Sequence, residues 1–122
     1  MSFVQFPFQS QKLHWTDHAK MKMSFYGLSE NRVKRVLRNP KRYEEGVLEK
    51  AVALMQPTSI KNREGKETWN QEIWVMILKA GGKTKVISVW RYPGVAPERS
   101  PVPKEILDEL IEQEDEFLPE IA

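Results

Sequence analysis

Residues Thr16–Pro40, TDHAKMKMSFYGLSENRVKRVLRNP, contain two short helices whose ends are both marked in the sequence. Thr16 precedes the first helix, and its hydroxyl can accept a backbone N–H that the first turn leaves unpaired. Gly27 can end that helix because glycine adopts the left-handed conformation without a Cβ clash. Ser29 is placed to cap the second helix, and Asn39–Pro40 would end it. The stretch therefore predicts a pair of helices.

Both predicted helices have an apolar side suited to packing on a sheet. Two adjacent stripes at helical spacing give the first helix a wide apolar face. Lys20 and Lys22 are predicted to supply charge between these stripes. The second helix is amphipathic and strongly basic on its wet side. The apolar positions are Ala19, Met23 and Tyr26 in one stripe, His18, Met21 and Phe25 in the other, and Val33, Val36 and Leu37 in the second helix.

A sheet is predicted after Pro40, with strands at about 48–56, 68–79 and 83–92. Gly81–Gly82 separates the last two and suits a tight hairpin turn with positive φ. The run Ile73–Leu78 is apolar at every position, which indicates a central strand covered on both faces. The predicted fold is α+β, with two N-terminal helices packed on a three- to four-stranded antiparallel sheet, plus a C-terminal acidic helix.

The 122 residues are expected to form a single domain. Its core would span about residues 14–93, preceded by an aromatic arm at 1–13 that could contain a short edge strand. Residues 94–122 would form a Pro-rich linker and an acidic helix that begins at Pro103 and continues to about Glu116. No internal repeat is present.

Composition excludes several classes of site and suggests a polyanionic partner. The chain has no cysteine, so disulfides, thiolate zinc sites and cysteine nucleophiles are excluded. It has no apolar run long enough to span a bilayer and no signal-peptide pattern, so a cytoplasmic location without a membrane partner is expected. The net charge of +2 is unevenly distributed. Residues 105–122 hold eight acidic and no basic residues, which leaves a basic body that favours polyanions.

The order of helix, helix, strand and hairpin resembles the RelE/ParE-like toxin superfamily. Within it, the chain is most similar to a prokaryotic domain-of-unknown-function family with a His-Ala-x-x-x-Met helix and a Gly-Ile/Leu-Ser-x-x-x-Val second helix ending near Asn-Pro. The resemblance covers about residues 14–93 and departs at Lys22, where the family tends to carry arginine. The matching residues are His18, Ala19, Met23, Gly27, Leu28, Ser29, Val33, Val36, Leu37, Asn39 and Pro40.

This resemblance implies a toxin-related protein that cleaves RNA or binds RNA or the ribosome. A metal-independent endoribonuclease would need a base, an acid and cations around the phosphate. The candidate catalytic residues are His18, Lys85, Arg91 and Tyr92. Lys85 and Arg91 share a strand face if two-residue alternation holds. The alternatives are that His18 is a packing residue and Arg91 a solvated strand end.

A non-catalytic nucleic-acid- or protein-binding module is the alternative function. Basic residues near the second helix could bind phosphates, and an aromatic residue could stack on a base. The candidate nucleic-acid-binding residues are Arg32, Arg35, Arg38, Lys41, Arg42, Arg63 and Trp90. An enzyme would gather its four candidates around one concave basic surface. A binding module would expose the basic helix and bury His18.

The partners implied are RNA or an acidic, antitoxin-like protein. The acidic C-terminal helix could also fold over the basic body or dock on a second copy, so a homodimer is left open. No cofactor is expected. No metal site is predicted, because neither histidine has a carboxylate at ligand spacing.

Overall fold

The computed structural model describes residues 12–45, 50–80 and 82–112 and has an α+β fold. The predicted arm at 1–13, apart from its last two residues, and the end of the acidic helix beyond Glu112 lie outside these residues, as does Gly81. The elements, in chain order, are β1 (Lys12–Trp15), α1 (Asp17–Tyr26), α2 (Glu30–Arg38), β2 (Arg42–Glu45), β3 (Ala51–Pro57), β4 (Lys61–Arg63), β5 (Lys66–Thr68), β6 (Gln71–Ala80), β7 (Lys83–Pro93) and α3 (Lys104–Glu112).

The main sheet has five strands in the order β1-β7-β6-β3-β2 and is mixed. The sequence predicted three to four antiparallel strands. The difference arises at the edges, where two four-residue strands are too short to give a periodic signal. β1 pairs parallel to β7, from Lys12 opposite Lys83 to Trp15 opposite Val86, and β2 pairs antiparallel to β3. β4 and β5 form a separate hairpin.

The predicted caps of the helix pair are confirmed. The Thr16 hydroxyl accepts the Ala19 N–H at 3.1 Å, and the Ser29 hydroxyl accepts the Arg32 N–H at 3.1 Å. Gly27 takes a φ of 68°, in the left-handed region where a side chain would be strained. α2 ends at Arg38, directly before the predicted stop.

The sheet separates two apolar cores. α1 and α2 pack on one face, which we call the helix-pair face; its core includes Val33, Leu37, Val75 and Val89. α3 packs on the other, which we call the α3 face; its core includes Trp74, Trp90, Ile106 and Leu110. Every residue from Ile73 to Leu78 is buried, which confirms the prediction of a central strand covered on both sides.

α1 buries only part of the predicted face: Ala19 and Met23 of one stripe and His18 of the other are buried. Met21 is 52% exposed and Phe25 is 74% exposed, whereas Lys22 is buried. The Lys22 ammonium lies 2.9 Å from Oε1 of Glu109 on α3, so a carboxylate compensates for its burial. Of the two lysines predicted to supply charge between the stripes, Lys20 is exposed, whereas Lys22 is turned into the protein.

A β-bulge in β7 changes the direction of side chains along the strand. Val86 lies opposite Ile77 and Ser88 lies opposite Met76, so Ile87 is an extra residue. Before the bulge, Lys85 lies opposite Leu78 of the α3 face, and after it Arg91 lies opposite Ile73 of the helix-pair face. Directly opposed residues share a face. The prediction that Lys85 and Arg91 share a face was therefore wrong.

Within the described residues, no helix is long and apolar enough to cross a membrane.

Candidate nucleic-acid interface

His18, in the first turn of α1, lies inside the protein and faces β7 and α3. Its side chain is almost wholly buried, with Nε2 3.2 Å from the Ser88 hydroxyl oxygen and 3.8 Å from Oε1 of Glu109. These contacts connect the helix to the sheet and to α3. A buried position of this kind is the one expected of a packing residue, and it separates His18 from any surface that could hold a polymer.

The other candidate catalytic residues do not gather around His18. Lys85 is buried in β7 and belongs to the α3 face. Tyr92 lies opposite Glu72 and packs against the same core. Arg91 lies on the helix-pair face, where its Nε donates to the carbonyl of Tyr26 at 2.9 Å. The four candidates are thus divided between the interior and the two faces of the sheet.

Two residues of the predicted nucleic-acid surface serve the core of the α3 face instead. Trp90 is fully buried, stacks on Trp74 with 6.1 Å between ring centroids, and donates its Nε1–H to the carbonyl of Pro101. Arg42 lies 5.0 Å above the Trp74 ring and donates to the Ala96 carbonyl and to Glu44. Arg42 begins a strand, and alternation directs it away from α2. Trp90 therefore has no exposed surface, and the Arg42 guanidinium is engaged by these contacts.

Three arginines do come together, at the end of the helix-pair face where β3 and β7 end and β6 begins. Arg32 donates from Nη1 to Gln56 at 2.6 Å, and Arg91 donates from Nη1 to Gln71 at 3.1 Å. Gln56, Ile73 and Arg91 form one row across the sheet. Burial lowers the pKa of the Arg32 guanidinium, and the charges of Arg35 and Arg91 lower it further.

We call Arg32, Arg35 and Arg91 the arginine cluster. No carboxylate within residues 12–45, 50–80 and 82–112 forms an ion pair with any of the three. The hydrogen bonds of Arg32 and Arg91 go to neutral oxygen atoms, which orient the guanidinium groups without cancelling their charge. A concentration of positive charge held in this way attracts anions.

A groove of about 450 Å³ runs beside the arginine cluster, between α2 and the segment that follows β3. Exposed Arg35 and Lys41 contribute charge to its lining, and Asn39 and Thr58 contribute neutral polar groups. Gln56 fixes this wall, because its amide donates to the carbonyls of Asn39 and Arg35. The lining residues are Arg32, Arg35, Asn39, Pro40, Lys41, Gln56, Pro57, Thr58, Ser59 and Ile60.

A second groove, of about 310 Å³, adjoins the first at Ser59. The β4–β5 hairpin forms one side, and the half-buried indole of Trp69 forms part of the wall. Lys61 and Arg63 make this groove basic as well. Its lining residues are Ser59, Lys61, Arg63, Thr68, Trp69 and Asn70, so no acidic residue within the described part of the chain lines either groove.

The sequence interpretation identified the charge of this surface but missed its aromatic group. Of the predicted residues, Arg32, Arg35, Lys41 and Arg63 line the grooves, whereas Arg38 is exposed on α2 outside their lining. Trp69 was read as part of the sheet. The available signal was its position directly after a hairpin containing Lys61, Arg63 and Lys66.

Compared with known proteins, the chain matches no protein-family model, no curated protein and no solved structure. The resemblance to RelE/ParE-like toxins therefore stays a prediction. Among the residues that the structure describes, no three His, Cys, Asp or Glu side chains are grouped in a way that could hold a metal ion.

Proposed function

We propose that this protein is a non-catalytic nucleic-acid-binding module. The phosphate backbone would follow the two grooves and contact the arginine cluster. The observation that carries the proposal is the convergence of Arg32, Arg35 and Arg91 beside a groove without a carboxylate to neutralise them. Guanidinium groups match the geometry of phosphate oxygens and remain charged at physiological pH.

The positions of the candidate catalytic residues support binding rather than cleavage. General acid–base catalysis needs the reacting groups within hydrogen-bond reach of one substrate. His18 is enclosed by Ser88 and Glu109, and Lys85 and Arg91 lie on opposite faces of the sheet. Exposed Arg35 and Arg38 on α2, together with a buried His18, form the arrangement expected of a binding module.

The test measures binding of a labelled single-stranded oligouridylate by fluorescence anisotropy between about 50 and 200 mM salt, a range over which phosphate contacts weaken strongly. The informative variant is Arg35→Gln, because Arg35 is exposed and its side chain makes no hydrogen bond to the described residues. The matched control is Lys83→Gln, which removes one exposed positive charge about 26 Å along β7 from Arg91.

We expect Arg35→Gln to weaken binding about fivefold, the effect of one exposed charged contact. It should also reduce the slope of log K against log salt by about 0.7, the value for one phosphate contact with a single strand. Lys83→Gln should leave the slope unchanged. The proposal fails if the wild-type protein shows no salt-dependent binding, if both variants lose affinity equally, or if polyglutamate displaces the RNA at equal charge concentration. The last result would indicate an acidic protein partner.

A further inference from the structure

We propose that Trp69 is a stacking platform for one unpaired nucleobase, and that it makes the module selective for single strands. This inference rests on the proposed function, because it assigns the second groove to a base of the same strand whose phosphates contact the arginine cluster. The two grooves meet at Ser59, so one strand can occupy both.

The indole of Trp69 is held in a fixed orientation. Its Nε1–H donates to Oε2 of Glu72 at 2.8 Å, and the Glu72 side chain is fully buried. The polar edge of the ring is thereby directed into the protein, while Trp69 as a whole is half-buried and lines the second groove. A ring that is already oriented loses little conformational freedom when a base stacks on it, which favours binding.

The contact that Lys41 makes with the ring is weak enough to be displaced. The Lys41 ammonium lies 5.7 Å from the Trp69 ring centroid and pairs with Glu67 at the surface. The side chains of this ion pair are 37% and 46% exposed. Breaking the pair therefore lowers the affinity for a base by about fivefold at most. Stacking of a base on an aromatic side chain is worth about 5- to 150-fold in affinity.

Through most of this range, stacking outweighs the existing contact. The displaced ammonium of Lys41 remains at the junction of the grooves, because Lys41 also lines the first groove. There it can neutralise the phosphate next to the stacked base. Lys61 and Arg63 flank the same base on the hairpin side.

The second groove has the size of a small-ligand site. Its volume of about 310 Å³ is at the lower end of the range of small-ligand sites, about 300–1,000 Å³. In a duplex, both faces of each base are occupied by neighbouring bases. Only an unpaired base can place a face against Trp69, which is the physical source of the proposed selectivity.

The test compares a labelled oligouridylate with an abasic ribose-phosphate strand of equal length, which has the same phosphates and no bases. We expect the wild-type protein to prefer the strand with bases by about 5- to 150-fold. Trp69→Leu should bring this ratio close to one while leaving affinity for the abasic strand within about twofold. The matched control is Phe25→Leu, which removes an aromatic ring that is 74% exposed on α1, outside both grooves; it should leave the ratio unchanged.

Trp69→Phe provides a second measurement that keeps an aromatic ring. It should retain only part of the preference for bases, because the ring remains but its hydrogen bond to Glu72 is lost. It should also lose the quenching of tryptophan fluorescence that the oligouridylate causes in the wild-type protein. Circular dichroism checks that each variant is folded.

The outcomes distinguish the inference from the proposed function. If the abasic strand binds with a salt slope that Arg35→Gln reduces, the arginine cluster acts as proposed. If Trp69→Leu then leaves the preference for bases intact, or if the quenching persists in Trp69→Phe, the stacking platform is refuted on its own. Binding of duplex RNA as tightly as single-stranded RNA would also refute it. Absence of salt-dependent binding to both strands would refute the proposed function.

Discussion

The buried carboxylate of Glu72 gives the sharpest prediction for stability. Its Oε1 accepts N–H groups from Trp74 at 2.9 Å and Ala96 at 3.1 Å, and its Oε2 accepts the Trp69 Nε1–H at 2.8 Å. Arg42 lies 3.8 Å from Oε2. Both oxygens of the Glu72 side chain thus accept hydrogen bonds. Glu72→Gln keeps the shape of the side chain but replaces one acceptor by an NH₂ group, which is itself a donor.

The expected loss in the free energy of unfolding follows from placing this NH₂ donor against another donor. If the amide oxygen keeps Trp74 and Ala96, its NH₂ faces the Trp69 N–H, and one hydrogen bond to a charged acceptor is lost. Such a bond contributes about 1.5–3 kcal/mol, and the two retained bonds weaken because their acceptor is now neutral. We expect a total of about 3 kcal/mol, which lowers the Tm of a domain of this size by about 12 °C.

The assay is urea unfolding and a thermal scan of the wild-type protein, Glu72→Gln and Glu98→Gln. Glu98 is exposed in the turn after β7 and undergoes the same change of charge. Its variant should unfold within about 0.5 kcal/mol of the wild-type protein, as surface substitutions usually do. Equal midpoints for Glu72→Gln and Glu98→Gln would refute the assignment of Glu72 as an anchor for three donors. Glu72→Gln should also reduce the preference for RNA bases, because Trp69 loses its orienting partner.

Three further predictions concern α1 and its contact with α3. In a urea titration, Glu109→Gln should destabilise the fold by about 2 kcal/mol, because it leaves the Lys22 ammonium buried without an anion. This value lies between those for exposed and buried ion pairs. Glu112→Gln, on the exposed end of α3, should have no measurable effect in the same titration. Gly27→Ala should cost about 1–2 kcal/mol through its φ of 68° alone, since a Cβ there meets no atom within 4 Å, and a thermal scan that shows no loss would contradict this. Burial raises the pKa of the Tyr26 hydroxyl more than the Lys22 charge lowers it. The unfolded chain therefore releases this proton first, and the free energy of unfolding should fall as the pH rises above about 10. When unfolding is measured at pH 9 and pH 11, this fall should be smaller in Tyr26→Phe.

The parts of the fold that the sequence predicted are those decided by local rules. The caps at Thr16 and Ser29 each depend on one hydroxyl three residues before a helical N–H. Gly27 acts through its own backbone conformation. The central strand was recognisable because Ile73–Leu78 is apolar without interruption, and its β-branched and aromatic residues favour a strand buried on both faces over a buried helix. None of these features needs a distant residue to be interpreted.

The errors occurred where a distant residue decides the outcome. Lys22 is buried because Glu109, 87 positions later, supplies a carboxylate; the helix sequence alone could not reveal this. The face of Arg91 depends on one extra residue, Ile87, which has the same apolar character as its neighbours in β7. A single added residue reverses every later side chain of a strand. Alternation counted along the sequence therefore placed Lys85 and Arg91 together when the sheet separates them.

The same bulge explains why the arginine cluster of the candidate interface includes Arg91. Without Ile87, Arg91 would point toward the α3 face, where Trp74 and Trp90 fill the space. With the bulge, Arg91 joins the row that ends at Gln56 and reaches the vicinity of Arg32. Deleting Ile87 should therefore remove the arginine cluster as well as repack the core. A direct consequence is that the third positive charge of the cluster comes from the sheet register rather than from the basic helix, and no charge count along α2 could have predicted it.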